Sequence, residues 1–266
     1  MSPLIFLKLG GSLITEKDSP STPRPDVIER LAHEIKAARE ARPEARIILG
    51  HGSGSFGHMA ASRYGTRQGV AAPEEWAGFA DVWLAASALN RIVIEALHLV
   101  GLPTISFAAV PALAVSDGKI THWDLSPIQQ ALEHGLIPLV YGDVVFDEVR
   151  GGTILSTEDL FAHLARYFKP ERILLAGLES GVWADYPART QLIETITPAN
   201  LEEWRMALGS SASTDVTGGM TAKVQQMLAL LEALPGCEAY IFSGIEPGNV
   251  RKTLQGETSG TRLAGK

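Results

Sequence analysis

The sequence is short of cysteine, short of basic charge, and without a long uninterrupted apolar run. A single cysteine, Cys237, among 266 residues excludes an internal disulfide framework and a thiol-based zinc site. It fits a reducing compartment, with Cys237 in the core. Lys and Arg total 23 against 30 Asp and Glu, giving a formal net charge of -7 and a pI near 5.5. No general basic face is therefore available to displace counterions from nucleic acid or an anionic membrane, and any anion must be held by a local positive site. No apolar stretch reaches the ~18 residues of a spanning helix without a Pro, Gly or charge. The opening MSPLIFLKLGGS lacks a basic flank and runs into a glycine pair, so it reads as a strand and not a leader. A soluble, cytoplasmic protein is expected, with no nucleic-acid or membrane partner. With 45% hydrophobic and 20% charged residues, the chain can bury one large domain or two fused lobes.

Aliphatic, β-branched runs alternate with longer stretches of helical period, the pattern of a sheet covered by helices on both faces. Strands are predicted at 4–9, 46–50, 104–107, 137–141, 172–176 and 239–242; most are continuous apolar runs, as expected of buried parallel strands. Helices are predicted at 26–41, 74–100, 126–134, 157–168 and 217–234, with Pro25 and Pro127 at helix starts. Two hairpins interrupt the pattern, one turning at Asp117-Gly118 and one near Gly151-Gly152. They would extend the sheet or flap over a site. A soft division near Lys169-Pro170 separates an N-terminal lobe, 1–168, from a C-terminal lobe, 169–266, sharing one sheet.

Three glycine clusters carry the chemistry. Lys8-Leu9-Gly10-Gly11-Ser12 follows the first strand, so backbone N–H groups can approach an anion while Lys8 supplies a cation. By itself the motif reads equally as a tight turn beside a solvated lysine. His51-Gly52-Ser53-Gly54-Ser55-Phe56-Gly57-His58 contains G-x-G-x-x-G, but the next strand and acidic residue of a dinucleotide fold do not follow; Glu74 and Glu75 open a long helix instead. P-loop and protein-kinase signatures are also missing. The third cluster, Asp215 to Lys223, opens a helix whose N–H groups and Lys223 could hold an anion, or could be an ordinary cap.

Together and in this order, KLGGSLITEK, HGSGSFGH, YGDVVFD, DVTGGMTAK and SGIEPGNV resemble the amino acid kinase superfamily, and within it the isopentenyl phosphate kinases. The resemblance spans nearly the whole chain. It implies an α/β fold, an open three-layer α/β/α sandwich with a mainly parallel central sheet, in a single domain that is usually dimeric. The acceptor would bind the N-terminal lobe and ATP the C-terminal lobe. The activity implied is transfer of the ATP γ-phosphoryl group to isopentenyl phosphate, in line and without a phosphoenzyme, with Mg²⁺ arriving on ATP.

The same resemblance implies roles. Lys8 would sit on the transferring phosphoryl group and Lys17 would neutralise acceptor and transferring oxygens, since positioned cations relieve the repulsion between two anions. Asp159 would orient the lysines. Gly10, Gly11, Ser12, Ser53, Gly219 and Lys223 would lie on ATP, as would Gly181 and Asp185 from the LLAGLESGVWADYP segment. Ser53 stands where the family commonly has glycine, which a negative φ would tolerate. His58 would donate to the acceptor phosphate, with Gly52 and Gly57 bringing N–H groups to it. The helical stripe Trp76, Phe79, Val82, Trp83, Ala86, Leu89, Val93 and Leu97 reads as core along most of its length, with Phe79 and Trp83 lining the hydrocarbon pocket. No metal ligands are assigned on the protein. A fosfomycin-type phosphonate kinase is the nearest alternative. Carboxylate or carbamate kinases would give His58 no clear role, and a non-catalytic nucleotide-binding module would be expected to lose Lys8, Lys17 or Lys223.

Overall fold

The structure, a computed structural model, describes residues 2–204, 219–258 and 260–265, without the side chains of residues 58–60. The first half runs β1 (Leu4–Leu9), α1 (Gly11–Ile14), α2 (Pro25–Ala41), β2 (Arg46–His51), α3 (Gly54–Tyr64), α4 (Pro73–Leu99), β3 (Thr104–Ser106), β4 (Leu113–Ser116) and β5 (Lys119–Trp123). Then come α5 (Ser126–Glu133), β6 (Ile137–Tyr141), β7 (Asp143–Asp147), β8 (Gly151–Leu155), α6 (Thr157–Phe168) and β9 (Arg172–Gly177). After these lie β10 (Thr195–Ile196), a 3-10 turn (Leu201–Trp204), α7 (Gly219–Glu232), β11 (Glu238–Ser243), α8 (Asn249–Gln255) and β12 (Thr261–Ala264).

Eight strands form one sheet in the order β10-β12-β11-β9-β1-β2-β6-β3. Its pairings are parallel except β11 with β12. Strands from before residue 169 occupy one half and later strands the other, meeting where β1 pairs with β9, so the two halves share one sheet as expected. Alternation along β1 sends Leu4 and Phe6 to one face and Ile5, Leu7 and Leu9 to the other. The first face packs against α5, α6 and α7 and the second against α2, α4 and α8. Lys8 has the parity of Phe6, which directs it toward the α6 layer.

By length and apolar content α4 could cross a membrane. Its inward stripe Phe79, Val82, Ala86, Leu89, Val93 and Leu97 is buried in the core, while Trp83, Leu84 and Leu99 are exposed and Arg91 and Glu95 pair on its outer side. Several short elements were not anticipated, among them α1, β10, β12, α8 and the 3-10 turn. In addition α3 is a helix where the glycine-rich sequence suggested a loop. The start of the predicted helix at 217 lies outside the described residues.

Both hairpins form two-stranded sheets of their own. The first turns at Asp117-Gly118 as expected. The second turns at 148–150, and Gly151 already pairs with Asp147 within the ladder. Asp147, 4% exposed, joins the two hairpins: its carboxylate accepts from the amides of Asp117 (3.0 Å), Gly118 (2.7 Å), Val149 and Arg150 (2.9 Å each). Burial opposes its ionisation, but these four donors outweigh it and hold the carboxyl below the usual range. A depressed folded-state pKa contributes stability above the unfolded value of ~3.9 that is lost as pH falls through the folded value. Asp147→Asn, which turns an NH₂ toward backbone donors, is expected to cost about 2 kcal/mol or more at pH 7, with the difference shrinking below pH ~4. Thermal melts of both proteins at pH 7 and pH 3 check this; a difference of constant size would show that charge is not the cause.

Candidate active site

The C-terminal ends of the central parallel strands open into one cavity of about 370 Å³, the place where open α/β sheets bind ligands. Beyond β1, β2 and β11 a glycine continues the ladder by one bond, and Gly10 and Gly52 there enter the cavity wall. The Gly10 amide donates to Ala176 O (2.8 Å), that of Gly52 to Leu9 O (3.0 Å), and that of Gly244 to Gly177 O (2.8 Å). Gly10, Gly11, Ser12, Lys17, Gly52, Ser53 and Gly57 line the cavity from the side of β1 and β2. Gly181, Gly219 and Lys223 line it from the side of β9 and α7, and Lys8 lines it from β1. The structure thus brings together eleven of the expected residues.

Packing explains the first two glycine clusters. A Cβ on Gly11 would overlap the backbone of Gly54, and one on Gly54 would overlap Thr15 Oγ1. The two loops therefore meet backbone to backbone, which no larger residue permits. Ser53 has φ −77°, the negative value a serine tolerates. The amides of Gly52 and Gly57 do not point to a ligand as expected: they bond to Leu9 O and Ser53 O. These glycines act by leaving room. The helix that follows is capped from a distance, the Ser55 amide donating to Thr15 Oγ1 (3.0 Å). His58 falls on α3, and its side chain lies outside the described residues.

Lys8 is 8% exposed and donates through Nζ to Glu158 Oε1. Burial opposes ionisation of Glu158, but Lys8 and then Lys223 outweigh it, holding this carboxyl below the usual range. Asp159, expected to orient the lysines, does something else. Its Oδ2 accepts from Ser156 N (2.8 Å) and Ser156 Oγ (2.7 Å), and its Oδ1 from Gln226 Nε2 (2.8 Å). Asp159 closes the capping box of α6 and so is turned away from Lys8. The Ser-x-x-Asp spacing of 156–159 was the signal for this.

Three further expectations are corrected. Asp185 does not line the cavity. It accepts from the Thr190 hydroxyl and from the amides of Thr190 and Gln191 (3.1 Å each), closing its own loop. The wall there is Glu179, Trp183, Tyr186 and Arg189, ordered by Glu179, which accepts from Trp183 Nε1 (2.9 Å) and Arg189 (2.8 Å). Trp83 is 45% exposed, because its position on α4 lies one residue past the inward stripe. Phe79 is buried behind the cavity against Trp76, Phe146 and Gly152. The apolar end of the cavity is instead Ala61, Val82 and Ile154.

Two cavity residues carry signals that sequence reading missed. Arg67 lines the wall without belonging to any glycine cluster. Asp143 is 1% exposed, with Oδ1 accepting from Val144 N (2.8 Å) and Oδ2 buried without a partner among the described residues. Burial pushes its carboxyl up to about 7, against the pull of the Val144 amide and the Tyr141 hydroxyl. His51 stacks on Tyr141 at 5.4 Å and contacts Asn90 Oδ1 (3.2 Å). Its burial lowers the imidazole pKa, so the first histidine of the second cluster is a neutral core residue.

These features define a small-molecule kinase of a known family. The model of the amino acid kinase family matches residues 3–243, and the chain belongs to that family. Within it, the curated relatives include the isopentenyl phosphate kinase of Methanothermobacter thermautotrophicus, 37% identical over 99% of this chain and 100% of that protein. The isopentenyl phosphate kinase of Methanocaldococcus jannaschii is 32% identical over 98% of both. A crystal structure of an isopentenyl phosphate kinase superposes with a TM-score of 0.82 at 33% identity, covering 98% of this chain and 100% of the other.

An acid whose folded pKa is raised keeps its proton in the native state to higher pH than in the unfolded state. For Asp143 the stability held below pH ~4 is lost as pH rises through 7. Asp143→Asn cannot titrate, so its stability should match wild type near pH 4 and exceed it at pH 8, by on the order of 4 kcal/mol at most. Melts across that range test it; a gap that does not vary with pH would place the Asp143 pKa near normal.

Proposed function

We propose that the protein catalyses ATP-dependent phosphorylation of isopentenyl phosphate to isopentenyl diphosphate. The observation that carries this reading is the cavity itself: Lys8, Lys17 and Lys223 line it together with Ala61, Val82 and Ile154, which pack in one apolar cluster. An acceptor with a phosphate at one end and a short branched hydrocarbon at the other matches that division. A small polar phosphonate would leave the apolar end unfilled.

In this reading an oxygen of the acceptor phosphate attacks the γ-phosphorus of ATP, the new P–O bond forms, and the bond to the β-phosphate oxygen breaks to release ADP. Both reactants are anions, so catalysis consists of positioning and charge relief. Lys8, fixed by Glu158, would face the transferring group, Lys17 the acceptor and transferring oxygens, and Lys223 with Gly219 the ATP phosphates. Gly10, Gly11, Ser12, Ser53 and Gly181 would admit ATP to the wall, and His58 would donate to the acceptor phosphate. The acceptor would occupy the 1–168 side and ATP the 169–266 side. Among the described residues no group of three His, Cys, Asp or Glu could hold a metal. Mg²⁺ would arrive with ATP, held largely by its phosphates and water. A homodimer in the cytoplasm completes the proposal.

Comparing isopentenyl phosphate, dimethylallyl phosphate, fosfomycin and carbamate as acceptors tests the reading directly; equal or greater turnover of either of the last two would overturn it. In the same assay Lys17→Ala should lower kcat by ~10² or more. Lys17 is exposed, so its removal leaves no buried charge unpaired, unlike Lys8→Ala. His58→Ala should raise the acceptor KM and lower kcat with the ATP KM nearly unchanged. Losses shared equally by both substrates would return His58 to a structural role.

Tail length is set, on this reading, by Val82 and not by Phe79 or Trp83. Val82→Ala is expected to admit longer prenyl phosphates in a graded way, within the ~1–3 kcal/mol that one or two methylenes are worth. Trp83→Ala should leave chain-length preference as it is. A change with Trp83→Ala and none with Val82→Ala would reverse the assignment.

A further inference from the structure

Arg67 lies between α3 and α4, on a segment tied along the second hairpin. Its carbonyl accepts from Thr153 Oγ1 (2.9 Å), and the Val70 amide donates to Arg150 O (2.8 Å). The main chain is thus pinned independently of the side chain, which enters the cavity wall. There the guanidinium is poorly satisfied. Nη1 is buried without an acceptor among the described residues, and Nη2 is 4.0 Å from Asp159 Oδ2, at the outer limit of an ion pair. Asp159 in turn is occupied by Ser156 and Gln226. A guanidinium has five N–H donors and no acceptor, so Arg67 meets the cavity with donors to spare.

The side of the cavity also matters. Arg67 is joined through Thr153 to the strand that carries Ile154, and its segment follows directly on the helix that carries Gly57 and Ala61. Those are residues of the acceptor end. The wall made by Glu179, Trp183 and Arg189 belongs to the segment after β9. A planar fork fits two oxygens of a phosphate at once, whereas the cavity lysines act as point charges.

We propose that Arg67 is a substrate-binding residue that grips the acceptor phosphate with its guanidinium, and that Asp159 is a positioning residue that steers it there from its fixed place on α6. This rests on the reading of the cavity as a site of transfer to a phosphate acceptor. Arg67 then shares the acceptor dianion with Lys17. The 156–159 cap acquires a second use, since the carboxylate that closes it also faces the arginine.

Three variants test this: Arg67→Ala, Arg67→Lys and Asp159→Asn. Arg67→Ala is expected to raise the KM for isopentenyl phosphate by ~10- to 100-fold, the scale of one charged hydrogen-bonding group, with the ATP KM unchanged. Arg67→Lys should fall between Ala and wild type, because it keeps the charge and loses the fork. Asp159→Asn should raise the acceptor KM more than the ATP KM. Calorimetric titration with inorganic phosphate on the full chain supplies a second arm that needs no turnover: wild type should bind it more tightly than Arg67→Ala, while ADP binds both alike. An unchanged acceptor KM in Arg67→Ala, or a parallel rise for acceptor and ATP, overturns the proposal. Should wild type fail to phosphorylate isopentenyl phosphate, the functional reading falls, and the phosphate titration still decides whether Arg67 is an anion-binding residue.

Discussion

Lys8 stands on the central strand of the sheet, where parity turns it into the layer that holds α6, and it is nearly sealed from solvent. A lone ammonium cannot remain there. Taking an ion from water into a protein interior costs several kcal/mol, which a partner must offset. Glu158 is that partner, and it is itself buried and stabilised in ionised form by both Lys8 and Lys223. The pair ties β1 to α6, and the field of Lys223 reaches the same carboxylate from α7. One carboxylate thus fixes Lys8 and feels the charge of a second cavity cation.

Around that pair the fold solves a problem of access. The loops that leave the ends of β1 and β2 pack glycine against glycine, Gly11 on Gly54, which leaves room in the cavity beside them. The helix α3 that begins at this contact takes its cap from Thr15, on the other loop. A similar device closes the opposite edge: Glu34 on α2 accepts from the amides of Gly248, Val250 and Arg251 (2.9, 3.0 and 3.2 Å) at the start of α8, and Arg30 donates to Gly244 O (2.7 Å). Elements from the two ends of the chain are held in register by single side chains placed over exposed amides.

Legibility followed the range of the interactions. The buried parallel strands β1, β2, β6, β9 and β11 were readable to within a residue or so, because their apolar runs are sufficient cause for burial on both faces. The helix α6 was readable because Ser156 caps it locally. By contrast α3 and α8 were not, since their N-terminal amides are satisfied by Thr15 and Glu34, residues far away in the chain. The strands β10 and β12 are 2 and 4 residues long and exist only because a sheet edge is there to pair with.

At the site, the sequence by itself determined that Lys8 would stand near the end of a buried strand beside a glycine turn, and its resemblance to amino acid kinases implied that Gly10, Gly11, Gly52, Gly57, Gly219 and Lys223 would share one site with it. It also determined the apolar stripe of α4. Only the tertiary structure decided which side chain along each helix faces the cavity. Successive helical residues point about 100° apart, so Glu158 meets Lys8 while Asp159 turns back to Ser156, and Val82 reaches the cavity while Trp83 faces solvent. Nor could local pattern identify Arg67: its role depends on a wall built by segments far apart in the chain, and that proximity is created only when the sheet closes.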